Sequence, residues 1–107
     1  MMARTITILS TPGCPNVTVL QERLADALTR SGGLAPKVGV EEITDPADVS
    51  RRGFHGSPAL LLDGVDAFAT ADSPTGFACR TYSTETGIQG APSVEQLVTA
   101  LANGEGR

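Results

Sequence analysis

Between Ser10 and Asn16 the chain changes its period, and a cysteine sits at the change. Before it, Ile6, Ile8 and Leu9 are interleaved with Thr5 and Thr7, the pattern of a strand with Ile6 and Ile8 on one face. After it, Val17, Leu20, Leu24 and Leu28 fall on one helical stripe, with Gln21, Glu22, Arg23 and Asp26 largely off it. Thr11-Pro12-Gly13 separates the two and sets Cys14 at the first turn of the helix. A thiol placed there meets the unpaired N–H groups and the positive end of the helix dipole, both of which favour the thiolate. The stretch points to thiol chemistry without naming a substrate.

The same alternation of periods continues down the chain. Ser31-Gly32-Gly33 supplies a helix stop, and Pro36 lies just beyond it. Lys37 to Ile43 alternates through Val38 and Val40 and reads as a second strand. Asp45-Pro46 has the form of an N-cap followed by proline at the first helical position, opening a short helix that ends near Gly53. Gly56-Ser57-Pro58-Ala59-Leu60-Leu61-Leu62-Asp63-Gly64 is a continuous apolar run closed by a turn dipeptide, which favours a buried strand. Ser93-Val94-Glu95-Gln96 is a capping box, and Val94, Leu97, Val98 and Leu101 form the core stripe of the last helix, with Gly104 after its end. The stretch from Val65 to Pro92 must hold the antiparallel partner of the Leu60 strand. It offers two candidates, Val65 to Ala69 and Ala78 to Thr84. The tight Asp63-Gly64 turn favours the first.

Composition removes several function classes. A chain of 107 residues is expected to form one domain, residues 1–107. A net charge of −4 without a Lys/Arg cluster argues against a nucleic-acid or anionic-membrane surface. Three Phe, one Tyr and no Trp leave little for stacking bases. Two cysteines make neither a disulfide framework nor a zinc-finger spacing. No segment approaches a membrane span, and the alternation after Arg4 is not a signal-peptide apolar block. A soluble cytoplasmic protein without a cofactor is the expectation, and any disulfide in that compartment would be transient.

The order strand–helix–strand–helix–strand–strand–helix, with Gly13-Cys14-Pro15 after the first strand and Gly56-Ser57-Pro58 opening the third, resembles the thioredoxin fold. Gly90-Ala91-Pro92-Ser93-Val94-Glu95-Gln96-Leu97 completes a resemblance that spans nearly the whole chain. It implies an α/β domain with a central mixed sheet of four strands, or five if both candidates join it, flanked by about three helices. It also implies a cis Ser57–Pro58 bond lying against Cys14, and a substrate-binding role for Ser57 and Pro58. The chain departs from the family at Cys14-Pro15-Asn16-Val17, where Val17 stands in place of the second cysteine of Cys-x-x-Cys. Cys14 then acts as a monothiol, pairs with the distant Cys79, or binds a soft metal; the bland alternative is an inert small residue.

Cys79 lies in Gly76-Phe77-Ala78-Cys79-Arg80, followed by a short alternating run and then Pro92-Ser93-Val94-Glu95. This quarter of the chain resembles the C-terminal active-site region of alkylmercury lyases, which carries Phe-Cys-Cys-His there and an earlier Cys-x-x-Asp. Here Ala78 occupies the first cysteine position, Cys79 the second, and Val17 the place of the aspartate. The resemblance implies capture of mercury by two thiolates, whereas protonolysis of a carbon–mercury bond lacks its carboxylate.

Whether Cys14 and Cys79 meet depends on the route of the chain. If Val65–Ala69 is the returning strand, Cys79 comes back to the Cys14 end. If Ala78–Thr84 is, a strand rising ~3.3 Å per residue separates the thiols by roughly 20 Å, far beyond the disulfide limit of about 7 Å between Cα atoms. Cys79 as a small buried hydrophobe is the competing account. His55 is read as a general base for Cys14 or as a solvated loop residue, and Arg80 as a thiolate-stabilising or a surface charge. Asp63 and Asp66 read as turn formers, Gly13 and Gly53 as backbone devices, and Asn16 as a helix cap. Two functions follow. One is a thiol protein using Cys14 and Cys79 as catalytic or metal-holding residues for thiol–disulfide exchange or capture of a soft metal such as mercury. The other is a non-catalytic binding or interaction module of the same fold. The oligomeric state is not legible.

Overall fold

The computed structural model describes residues 5–31, 37–69, 75–76 and 79–104. The elements are β1 (Thr5–Ser10), α1 (Asn16–Arg30), β2 (Lys37–Glu42), α2 (Pro46–Arg52), β3 (Ala59–Leu62), β4 (Val65–Asp66), β5 (Tyr82–Thr84), β6 (Gly87–Gln89) and α3 (Val94–Gly104). The first four strands form one mixed sheet in the order β2-β1-β3-β4. β2 runs parallel to β1, with Ile6 opposite Val38 and Ile8 opposite Val40. β3 is antiparallel to β1, with Ile8 opposite Leu60, and β4 is antiparallel to β3.

The strand faces divide the core in two. Ile6, Ile8, Leu60 and Leu62 pack on one side with Leu20, Leu24 and Ala27 of α1 and Leu97 and Leu101 of α3. Leu9, Ala59 and Leu61 pack on the other with Ile43, Phe54 and Val49 of α2. All four residues of β3 are buried because helices cover both of its faces, which is why the sequence shows a continuous apolar run there. Each such large side chain contributes about 1.5–3 kcal/mol by leaving water. β2 is an edge strand, and its Val38 and Val40 remain 38% and 44% exposed although they alternate as core residues would.

Local chemistry sets the boundaries. Asp45 caps α2 by accepting from the Ala47 N–H at 2.9 Å, with Pro46 at the first position and Gly53 left-handed just past the end. Ser93 caps α3 reciprocally: its hydroxyl accepts from Gln96 N at 3.1 Å, and Gln96 Oε1 accepts from Ser93 N at 3.0 Å. α1 closes with Ser31 N donating to Ala27 O; Gly32, Gly33 and Pro36 lie outside the described residues. Asp63 and Gly64 have φ of +51° and +83°, the signature of the tight turn expected between β3 and β4. The Asp63 carboxylate also accepts from Thr5 N at 3.0 Å, tying this turn to the start of β1.

Three expectations differ from what is found. Of the Val65–Ala69 candidate, β4 covers only Val65–Asp66. The Ala78–Thr84 candidate does not join the main sheet. Its residues Tyr82–Thr84 pair with Gly87–Gln89 as a separate hairpin across Glu85-Thr86. The sheet therefore has four strands. Asn16 is not the cap of α1: Pro15 holds that position, and no side chain caps it. The Asn16 amide instead sits against Gly90, where an added Cβ would lie 2.3 Å from Nδ2. Arg23 fastens the same loop by donating to the Ala91 and Pro92 carbonyls, both at 3.1 Å.

Candidate two-thiol site

β1 ends at the buried Ser10, and the next four residues make a tight turn. Cys14 N donates to Thr11 O at 3.2 Å across Pro12 and Gly13, and Gly13 has φ +76°. Proline second and a positive-φ glycine third are the residues that a type II turn needs. The turn delivers Cys14, half-buried, just ahead of the Pro15 cap of α1. It is held to the sheet from outside as well, because Thr11 N donates to Ser57 Oγ at 3.0 Å.

Ser57 is fully buried and immediately precedes β3, which starts at the Cys14 end of the sheet because it is antiparallel to β1. The Ser57–Pro58 bond is cis. Pro58 is fully buried too, so neither side chain presents a surface. What Ser57 does is bind chain on two sides. Its hydroxyl takes the Thr11 N–H, and its carbonyl takes the Arg80 N–H at 2.9 Å. An isolated parallel bridge pairs Ser57 with Cys79 itself. The returning-strand route through Val65 is thus the one the chain follows. Gly76 N donates to Phe54 O at 3.1 Å, so the chain is already beside the start of β3 when it reaches Cys79.

Both cysteines are free, and Cys79 is exposed, which overturns its reading as a small buried hydrophobe. From Cys79 to Thr84 the outward residues are Cys79, Thr81 and Ser83, and the inward ones are Arg80, Tyr82 and Thr84. The alternation seen in the sequence is real, although it serves no strand of the main sheet.

Arg80 is not a surface charge. Its side chain is only 11% exposed and grips the Asp66 carboxylate, itself 7% exposed, at 2.7 Å and 3.3 Å. Asp66 also accepts from Phe68 N, and the guanidinium lies 4.9 Å from the Tyr82 ring centroid. Tyr82 meets Phe68 edge-on at 5.5 Å and donates its hydroxyl to Pro58 O at 2.6 Å. Burial pushes the Tyr82 phenol well above the ordinary tyrosine range; Arg80 opposes this in part and Asp66 reinforces it. Asp66 and Tyr82 carried no role in the sequence reading beyond a turn and a strand position. The one available signal was that Arg80 and Tyr82 share a side of the alternating run. His55, between α2 and β3, is half-buried rather than solvated.

A cavity of about 360 Å³ lies among Ala67, Phe68, Glu85, Gln96 and Thr99 and includes neither cysteine. Among the described residues no three His, Cys, Asp or Glu side chains gather to hold a metal. No described helix is long and apolar enough to cross a membrane. Comparison with protein-family models, curated proteins and solved structures finds no match.

Proposed function

We propose that the chain is a thioredoxin-like thiol protein in which Cys14 and Cys79 act as one two-thiol site on thiophilic substrates, namely disulfides or a soft cation such as mercury. The observation that carries this reading is the double use of Ser57. One buried residue anchors the turn that delivers Cys14 through its hydroxyl and the segment that carries Cys79 through its carbonyl. The element order and the direction of β3 support the thioredoxin-like reading.

In exchange, the Cys14 thiolate attacks a substrate disulfide and releases one substrate thiol. Cys79 then attacks the Cys14 sulfur, releasing the second and leaving a Cys14–Cys79 disulfide for an external thiol to reduce. With a soft cation, the same two thiolates are the ligands. With Val17 in the place of a proton-shuttling aspartate, carbon–mercury cleavage is not part of the proposal.

Mercuric ion titrated against the reduced protein in millimolar glutathione, with native mass spectrometry as the readout, tests it. One ion per chain should survive in the wild type and be lost in both Cys14→Ser and Cys79→Ser. Retention in either variant, or loss in a wild type that also forms no Cys14–Cys79 disulfide on mild oxidation, removes the two-thiol reading and leaves the binding-module one.

A further inference from the structure

The two-thiol reading accounts for Cys14, Cys79 and Ser57 but not for the buried charges next to them. Taking a guanidinium and a carboxylate out of water is costly, and well-packed apolar residues in their place are commonly neutral or stabilising. What such a pair supplies in return is geometry: a planar fork on a carboxylate fixes direction as well as distance. The question is what is being aimed.

Among the described residues the segment around Cys79 has few other anchors, one being Gln96 Nε2 on α3, which donates to Ser83 O at 2.7 Å. Among the described residues, a single bridge to Ser57 is its only pairing before β5, and β5 pairs with the hairpin rather than with the sheet. Beyond the Arg80 N–H on Ser57, two side-chain tethers reach the sheet. The Arg80 fork grips Asp66 on β4, and the Tyr82 hydroxyl grips the Pro58 carbonyl at the mouth of β3. Both tethers come from the inward residues of the alternating run. A chain pinned through positions 80 and 82 turns positions 79 and 81 outward, and Cys79 and Thr81 are indeed exposed. The cation–π contact joins Arg80 to Tyr82, and the edge-to-face contact seats Tyr82 on Phe68. Burial favours the protonated Tyr82 phenol, the form that donates to Pro58 O.

We propose that Arg80 and Tyr82 are positioning residues of the two-thiol site, using the Asp66 carboxylate and the Pro58 carbonyl as fixed points to hold Cys79 where it shares a substrate with Cys14. The inference rests on the two-thiol reading and goes beyond it, since it says that Cys79 owes its place to side chains as well as to the backbone bridge at Ser57.

The test is the equilibrium between the reduced protein and the Cys14–Cys79 disulfide in a glutathione redox buffer. There two electrons pass from the two protein thiols to oxidised glutathione, and two glutathione thiols are released. The equilibrium constant reports how well Cys79 is presented to Cys14. In Asp66→Leu/Arg80→Met, which keeps the packing and removes both charges, it should fall by about tenfold or more, the range for residues that orient ligands from behind. Tyr82→Phe should lower it by a smaller factor. Arg80→Lys, a charge without the fork, should fall between the double variant and the wild type. Alkylation of Cys14 in a Cys79→Ser background should keep its rate in all of them, because Cys14 is held by its own turn. A purely structural role would lower thermal stability and leave the disulfide equilibrium of the folded fraction unchanged, and that result overturns the proposal. If the double variant does not fold, Tyr82→Phe and Arg80→Lys decide by the same readout. A wild type that forms no Cys14–Cys79 disulfide and holds no mercury through both thiols defeats the two-thiol reading itself. A wild type that does either, with variants indistinguishable from it, defeats only the positioning role.

Discussion

The two cysteines reach the same end of the sheet by opposite means. Cys14 is placed mainly by its neighbours in sequence, a strand, a Pro-Gly turn closed by its own N–H and a helix start, with Ser57 Oγ as the long-range anchor of that turn. Cys79 is placed by partners far along the chain, with Arg80 reaching Asp66 and Tyr82 reaching Pro58. Locally encoded placement survives the loss of a single contact, since the turn and helix re-form the same corner. Placement by side chains depends on each tether, and here the tethers are a desolvated ion pair and a buried hydroxyl.

The sharpest way to break that contrast is to leave one charge without its partner. Asp66→Ala strands Arg80 in a buried site, where loss of one member of a pair costs about 3–5 kcal/mol. Urea denaturation should show a loss of that order, larger than for the charge-free double variant, and Cys79 should be alkylated faster than in the wild type. A smaller effect is expected from the Cys14 side. Ser57→Ala removes the acceptor for Thr11 N and leaves the Ser57 carbonyl in place for Arg80, so about 1–3 kcal/mol is at stake. Protection of Thr11 N–H from hydrogen exchange should drop while that of Arg80 N–H holds; equal loss at both would show that the two anchors are not separate.

The smallest effect is alkaline. Tyr82 ionises well above its unfolded value of about 10, so its folded pKa is raised. Its contribution is fully present below about pH 10 and is lost as pH rises through the folded value. Stability measured upward from neutral should decline beyond about pH 10. Tyr82→Phe should show less of that decline, its curve differing from the wild type only in that range.

Much of the scaffold was readable from local chemistry. The Asp45-Pro46 and Ser93–Gln96 caps, the Asp63-Gly64 turn and the stripes of α1 and α3 each combine a periodic pattern with residues that can do one thing at that place. Where the sequence misled, a residue's partner lay elsewhere. Val38 and Val40 alternate like core residues, but β2 is an edge, with no strand beyond it among the described residues. Asn16 has the chemistry of a cap, yet its amide is taken up against Gly90. Tyr82–Thr84 has the pattern of a strand, and whether it pairs with β3 or with Gly87–Gln89 is not a property of those residues. Arg80 among small polar neighbours looks solvated; only the return of β4 alongside β3 brings Asp66 within 2.7 Å of it.

The sequence by itself determined the order of the elements from β1 to β4, the last helix, the caps of α2 and α3, and a cysteine at the junction of β1 and α1, because hydrophobic period, turn chemistry and capping act over a few residues. Tertiary structure alone decided that the Cys79 segment lies against Ser57 and that a buried Arg80–Asp66 pair stands behind it. The reason is physical: an ion pair is stable out of water only when both members arrive together, and their meeting across 14 residues depends on the packed sheet that holds β4 in place.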